Sequence, residues 1–421
     1  MPIQAPKGTR DILPSKIHRW QALERLFSEV SGDFGYKQIR TPVFEYTEIF
    51  DRGVGETTDI VQKEMYTFED KGGRSITLRP EGTAGIVRSY IENGLSSSPS
   101  PVKLSYCITA YRYENVSKGR YREFHQFGAE AFGSKDPMID AEMISLVDTF
   151  FEKIGISKYD IEINSIGCPR CRPQYNKELK EFFAQRIDGM CPTCAGRFAV
   201  NPLRILDCKE RECIRQSENA PVMLDHVCDE CAEHFALLKK YLDNLGIRYR
   251  VNKRIVRGLD YYTKTVFEFI SDDVGTQGTI CGGGRYDDLI DRFGGGDIPG
   301  TGFALGVERL LMQIEAENAG IGEEKKPSIF IASVGDEAKL YASRLCLELR
   351  KDGVFAECDT MQRSIRAQLK YADRIGAAYV AVIGDDELSG GSAALKEMAT
   401  GESRKVLLVD IHKEIMKMEE Q

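Results

Sequence analysis

Between Lys103 and Phe132 two runs of alternating side chains, KLSYCITAYRYE and YREFHQFGAEAF, flank the polar loop NVSKGR. Such period-two alternation puts neighbouring side chains on opposite faces of a sheet and predicts a long antiparallel hairpin. Whatever the chain folds into must be built around that hairpin. On its return run Arg122, Phe124, Gln126, Gly128, Glu130 and Phe132 share a face, and Gln126 and Glu130 flank a position with no side chain, which leaves room for a ligand. On the outgoing run Arg112 and Glu114 share a face, and the loop adds Lys118 and Arg120. Guanidinium groups so placed suit a phosphate, whereas the plainer alternative is cross-strand ion pairing on a solvated face.

A chain of 421 residues exceeds one ordinary core, so two or three domains are expected. Its apolar share of 42% is that of a soluble globular protein, and no run approaches the ~20 apolar residues of a membrane helix. The start, MPIQAPKGTR, lacks the apolar core of a secretory signal, which predicts a cytoplasmic protein with no membrane partner. A net charge of −8 argues against indiscriminate coating of nucleic acid, though it allows local basic faces.

Residues 15 to 34 carry one apolar stripe, from Ile17 through Trp20, Leu23, Phe27 and Val30 to Phe34, and predict an amphipathic helix with Ser15 as its cap. From Gln38 to Leu95 short strand-like pieces alternate with turns. Strand signals resume at IRYRVNKRIVRGLDYYTKTVFEF, and GFALGVERLLMQIEAE reads as a strand turning into a helix. NAGIGEEKK, 318 to 326, is a polar linker by composition. Beyond it strand and helix signals alternate, from SIFIASV to AYVAVIG, which predicts a parallel sheet.

Four segments beyond the hairpin invite chemistry. In RPEGT, Arg79 to Thr83, an extended backbone would aim Glu81 and Thr83 at one face, a carboxylate beside a hydroxyl suited to an α-amino group. RGLDYY, Arg257 to Tyr262, puts polar residues at the end of an otherwise β-branched and aromatic strand. GGGRYDDLI offers three glycines for close backbone approach, with Tyr286 beside them. In GFALGVERL, Arg309 sits near a helix start, free to meet a phosphate or to pair with Glu308.

The twelve cysteines point to reduced thiols or metal ligands rather than disulfides. Residues 168 to 231 form a charged, cysteine-rich insertion with pairs Cys168/Cys171, Cys191/Cys194, Cys228/Cys231 and Cys208/Cys213. This spacing fits two tetrahedral zinc sites, the alternative being reduced structural thiols in a helical insertion.

From about residue 3 to the C-terminus these segments resemble the histidyl-tRNA synthetases, of bacterial type, within class II aminoacyl-tRNA synthetases. The helix and strand leading to RTPVFE, the YRYE-to-REFHQFGAE hairpin and GFALGVERL are shared across the class, whereas RGLDYY, GGGRYDDL, TLRPEGT and FHQFGAE narrow the likeness to histidine. The resemblance implies an α+β catalytic domain whose antiparallel sheet is flanked by helices, in two parts at residues 1–165 and 246–320. It implies a helical insertion at 166–245 and a C-terminal α/β anticodon-binding domain at 327–421. The implied reaction joins L-histidine to ATP as histidyl-adenylate, releasing pyrophosphate, and passes histidine to the 3′ end of tRNA(His). By the same likeness Arg112 and Arg257 are catalytic on the α-phosphate, Arg120 and Arg309 hold the outer phosphates with Mg2+, and Glu114 lies near adenine. Histidine would meet Glu81, Gly82, Thr83 and Gln126 around its α-amino group, Glu130 and Tyr262 at its imidazole nitrogens, and Tyr261 and Tyr286 along the pocket. Family likeness also implies a homodimer formed through the segment around 34 to 50. The cysteine pairs are not implied, because the insertion lacks them in many members.

The basic residues Arg363, Arg366, Lys370 and Arg374, opposite Ile365, Leu369 and Ile375, predict a tRNA-facing helix or a solvated one. A competing class is the non-catalytic paralogue that regulates the ATP phosphoribosyltransferase of histidine synthesis. That paralogue typically lacks the C-terminal domain and erodes the arginines, whereas Arg112, Arg120, Arg257 and Arg309 stand here. A pure RNA-binding module would gather aromatic platforms on a basic sheet, a pattern this sequence does not have.

Overall fold

The first apolar stripe folds as helix α1 (Pro14–Asp33), burying Trp20, Leu23, Phe27 and Val30. Pro14 fills the first turn, where its missing N–H costs nothing. Leu13 holds the cap position, so the expected cap at Ser15 is not formed. The computed structural model describes residues 3–55, 58–275 and 278–419.

Strands β1 (Lys37–Gln38) and β2 (Phe44–Tyr46) are followed by a helix, α2 (Thr47–Val54). After β3 (Tyr66–Glu69) and β4 (Ser75–Leu78) comes another, α3 (Thr83–Glu92). The expectation of strands and turns alone over 38 to 95 therefore missed two helices. The hairpin is β5 (Val102–Tyr111) and β6 (Glu123–Phe132), with Tyr106 opposite Gly128 and Leu104 opposite Glu130. Helix α4 (Pro137–Ile154) is capped by Asp136, whose carboxylate accepts the Met138 N–H at 2.8 Å.

Strand β7 (Asp160–Ser165) leads into four helices: α5 (Arg172–Ala184), α6 (Pro192–Val200), α7 (Arg211–Gln216) and α8 (Asp229–Asn244). The chain returns through β8 (Arg250–Val251), β9 (Thr263–Ile270), β10 (Thr279–Arg285), α9 (Leu289–Arg292), β11 (Gly300–Gly306) and α10 (Val307–Glu317). The sheet runs β1-β5-β6-β11-β10-β9-β7-β8 and is antiparallel except at its two outer pairs. One face carries the larger core, where Phe27 stacks on Phe127 with ring centres 5.0 Å apart. On the other face Tyr106, Tyr261, Tyr262 and Tyr286 belong to a second apolar cluster.

The chain divides into two compact units, Met1–Gly322 and Glu323–Gln421. In the second, β12 (Ile329–Ser333), α11 (Asp336–Lys351), β13 (Ala356–Cys358), α12 (Ile365–Arg374) and β14 (Tyr379–Ile383) follow the predicted alternation. The sheet is nonetheless mixed. After the short α13 (Asp385–Gly390), β15 (Ser392–Glu397) and β16 (Ser403–Leu407) join as an antiparallel hairpin, and α14 (Ile411–Glu419) follows. The basic stripe also needs correction. Arg363 precedes α12 and pairs with Asp359 at 2.7 Å, and Leu369 is exposed, while Gln368 and Ala372 form the buried side.

A buried ion network ties α4, β10 and α8 together. Arg285 grips Asp140 through two nitrogens, at 2.9 and 3.1 Å, and His234 Nε2 meets the same carboxylate at 2.8 Å. Burial alone would raise the Asp140 pKa, but the Arg285 charge and the His234 hydrogen bond outweigh it and bring the group down to about 2. Asp140→Ala removes the carboxylate shared by the buried Arg285 and His234, leaving Asp287 at 3.1 Å as the ion partner of Arg285, and should lower the unfolding free energy by about 3–5 kcal/mol in denaturant melts. A change within error would contradict this account.

Candidate active site

Against the β6–β11–β10–β9 face lies a cleft of about 510 Å³. Its wall includes Glu81, Thr83, Arg112, Glu114, Arg120, Gln126, Arg257, Tyr261, Tyr262 and Arg309, drawn from widely separated parts of the sequence. Glu130, Tyr286 and Gly82 stand behind that wall, and Lys118 is exposed away from it.

Glu81 and Thr83 reach the cleft by a route other than the extended segment expected. Gly82 is in a helical conformation and α3 begins at Thr83. The Glu81 carboxylate accepts the N–H groups of Thr83 and Ala84, each at 2.8 Å, which satisfies two donors of the first turn. Far from being solvated, Glu81 is buried, and burial pushes its pKa upward.

The sheet beneath carries a carboxyl group, Glu130, with no exposure to water. Thr83 Oγ1 donates to it at 2.7 Å and the Tyr106 hydroxyl at 3.1 Å, and the Tyr286 hydroxyl donates to its other oxygen. Gly302 on β11 makes the space: a methyl group there would lie 1.8 Å from Glu130 Oε2. The gap expected at Gly128 is real but already filled. Tyr106 lies against it, so a methyl at Gly128 would meet the tyrosine ring and hydroxyl at 2.3 Å. Tyr106 was not anticipated, although the hairpin register puts it directly opposite that glycine.

Six arginines line the same cleft: Arg112, Arg120, Arg257 and Arg309, singled out in the sequence, and Arg197 and Arg204 of the insertion, which were not anticipated. Arg112 Nε donates to Pro80 O at 2.8 Å, and its guanidinium lies 5.2 Å from the Phe124 ring centre. Arg120 pairs with Glu114 at 3.4 Å, the ion pair weighed from sequence as the plainer use of these residues. Arg309 does not pair with Glu308; it donates to Thr279 O at 2.5 Å. Glu308 instead accepts the His125 N–H and meets His125 Nδ1 at 2.9 Å, fastening the start of α10 to β6.

Arg257 to Tyr262 is a turn ahead of β9 rather than the strand end predicted. Arg257 pairs with Glu268 on β9, a residue not anticipated although it is the one acid in the run TVFEF. Its guanidinium lies over Gly282, where any side chain would collide at 2.3 Å. Tyr261 and Tyr262 are buried, with ring centres 4.7 Å apart, and Tyr261 meets Tyr286 edge-on at 5.5 Å.

The eight paired cysteines gather into two clusters. Cys168, Cys171, Cys228 and Cys231 form one and Cys191, Cys194, Cys208 and Cys213 the other, with the four sulfurs of each within 4.8 Å of one another. Each is able to hold a metal ion. Sequence spacing supplied the pairs; only the fold joins Cys168/Cys171 to Cys228/Cys231.

The profile of the family described as "Histidyl-tRNA synthetase" matches residues 8–171 and 199–310, and that described as "Anticodon binding domain" matches 328–418. A histidine–tRNA ligase of Acetivibrio thermocellus is 60% identical, over 96% of this chain and 97% of that protein. One from Caldanaerobacter subterraneus is 52% identical, over 98% and 99%. The crystal structure of apo S. aureus histidyl-tRNA synthetase superposes with a TM-score of 0.84 at 40% identity, covering 98% of this chain and 100% of that one.

Burial raises the Glu130 pKa from 4.5 to about 8, despite the hydroxyl donors and with Glu81 adding to the rise. The folded chain then keeps a proton that the unfolded chain releases above about 4.5, so stability falls as pH rises toward 8. Without ligands, the unmodified protein should lose roughly 3–4 kcal/mol relative to Glu130→Gln between pH 5 and 8. Parallel stability–pH curves for the two proteins would sink this reading.

Proposed function

The chain belongs to the histidyl-tRNA synthetase family, and on that premise we propose how its residues divide the work of a histidine–tRNA ligase. The enzyme activates L-histidine with ATP, releasing pyrophosphate, and transfers the histidyl group to tRNA. Both steps are in essence positioning problems. In the first, a carboxylate oxygen of histidine bonds to the α-phosphorus and the pyrophosphate oxygen leaves. In the second, a ribose hydroxyl of the terminal adenosine of tRNA(His) bonds to the histidyl carbonyl carbon and AMP leaves.

The observation that carries the assignment is the approach of two cationic elements to one cleft, Arg112 on the hairpin and Arg257 over Gly282. These two hold the α-phosphate from opposite sides while charge builds on it. Arg120 and Arg309 take the outer phosphates, and Glu114 lies toward the adenine. Mg2+ would come with the nucleotide on its pyrophosphate portion.

Histidine is held by Glu81, Gly82, Thr83 and Gln126 at its amino end. Glu130 and Tyr262 meet the imidazole nitrogens, with Tyr261 and Tyr286 as walls. Buried polar groups left unpaired by an isostere supply the selectivity, and the solvent-excluded Glu130 supports this role. The catalytic core comprises 1–165 and 246–320, the insertion 166–245 and the anticodon-binding domain 327–421. The enzyme works in the cytoplasm as a homodimer joined around residues 34 to 50, a reading supported by the exposed Val43, Phe44 and Tyr46. No helix among the described residues is long and apolar enough to cross a membrane.

Each cysteine cluster holds one structural Zn2+. Zinc–sulfur bonds of about 2.3 Å set tetrahedral sulfurs about 3.8 Å apart. The observed separations of 3.6, 3.9 and 3.8 Å in one cluster, and 3.9 Å in the other, support that geometry. Elemental analysis of purified protein should find two zinc ions per chain; zinc well below one equivalent would rule the sites out.

Arg257→Ala should lower histidine-dependent pyrophosphate exchange by about 10²-fold or more while the fold stays intact by circular dichroism. Glu130→Gln should raise the KM for histidine about tenfold or more while that for ATP stays within about twofold. Exchange that persists in the first variant, or equal effects on both substrates in the second, would contradict these roles.

A further inference from the structure

The turn from Arg257 to Tyr262 belongs to no strand, and side chains of the insertion reach two of its carbonyl oxygens. Arg172 Nη2 donates to Tyr262 O, and Arg204 Nη1 donates to Gly258 O at 2.6 Å. Asn201 adds a bond to Asp260 Oδ1 at 3.1 Å. Each arginine stands close to a cysteine cluster. Arg172 follows Cys171 directly and opens α5, while Arg204 lies between Cys194 and Cys208 with its own carbonyl held by Arg197 at 3.1 Å.

A second line of contacts runs the same way. Glu230, between Cys228 and Cys231, pairs with the buried Lys264 at 3.0 Å. Lys264 has a left-handed backbone, φ 48°, two residues after Tyr262, and exchanges backbone hydrogen bonds with Gly167 and Ile166, next to Cys168. On the other side Arg197 and Arg204 both meet Asp59, at 2.8 and 3.6 Å, across the cleft wall.

We propose that the two cysteine clusters, loaded with metal, are the fixed ends of a clamp on the substrate-holding turn. Arg172 is the positioning residue for Tyr262, and Arg204 is the positioning residue for Arg257 through the adjoining Gly258. The proposal rests on the zinc reading and deepens it. Metal at Cys168, Cys171, Cys228 and Cys231 is felt at the imidazole end of the turn, and metal at Cys191, Cys194, Cys208 and Cys213 at the phosphate end. The metals touch no substrate; they fix the helices that carry the arginines.

The test compares Arg172→Met, Arg204→Met and the corresponding Arg→Lys variants with the unmodified protein. Metal content, pyrophosphate-exchange kinetics and hydrogen–deuterium exchange of the peptide spanning 257–265 are read on each. Arg172→Met should keep both metals, raise the KM for histidine about tenfold and leave the KM for ATP within about twofold. Arg204→Met should keep both metals and lower kcat about tenfold. Both should speed deuterium uptake in the turn, and lysine should restore part of the loss. Cys171→Ser should lose one metal and reproduce the kinetic and deuterium-uptake changes of Arg172→Met, and Cys194→Ser should lose the other and reproduce those of Arg204→Met. Unchanged uptake and kinetics in the methionine variants, with two zinc ions bound, overturn the clamp and leave the zinc reading standing. Protein purified without metal overturns both. Deuterium uptake needs no activity, so failure of histidine activation in the unmodified protein would count against the assigned reaction and not against the clamp.

Discussion

A carboxyl group shut away from water sits in the middle of the eight-stranded sheet, and much of the nearby sequence is arranged to tolerate it. Shifting Glu130 from its ordinary 4.5 to about 8 corresponds to roughly 5 kcal/mol of resistance to ionisation. Three hydroxyl groups surround it, from Thr83 on α3, Tyr106 on β5 and Tyr286 after β10. Gly302 leaves it the space to lie flat on the sheet. A single acid therefore sets the residue type at four positions on separate elements. An imidazole entering beside it would find a neutral carboxyl group that holds its proton and offers it as a hydrogen-bond donor.

The arginines pose the opposite problem, since six like charges line one cleft. Burial and the neighbouring guanidinium groups of Arg120 and Arg112 weigh against the charge on Arg309. Glu114 and Glu268 offset part of that repulsion by pairing with Arg120 and Arg257. These pairings hold the guanidinium groups of Arg120 and Arg257 in place within the cleft.

The sequence made the sheet and the cluster of polar residues legible because period-two alternation and motif residues are local signals. What it hid depended on contacts between distant segments. Tyr106 fills the place opposite Gly128, a fact of hairpin register, and Glu81 serves a helix start that reads like a turn. Arg257 to Tyr262 read as a strand end because the residues after it are a strand, but the turn pairs with side chains rather than with a neighbouring strand. In the second unit Arg363 has helical spacing from Arg366 and Lys370, yet Asp359 draws it off the helix. The cysteine pairs were visible as spacing, whereas their grouping into two fours joins residues 60 positions apart.

Irregular backbone inside a folded unit must find partners for its carbonyl groups, since buried unpaired polar groups cost about 1–3 kcal/mol each. A sheet supplies them automatically; a turn such as 257–262 does not. Here they come from Arg172 and Arg204, both outside the strands that build the cleft. The insertion thus shares in holding the turn, because without it two of the turn's carbonyl groups lose their partners, while the Arg257–Glu268 ion pair and the tyrosine packing remain. A turn free of strand pairing can bring its guanidinium over Gly282 and its tyrosines against Tyr286 at once, which a regular strand with strictly alternating faces could not do. The freedom that makes the turn useful is the same freedom that requires an outside support.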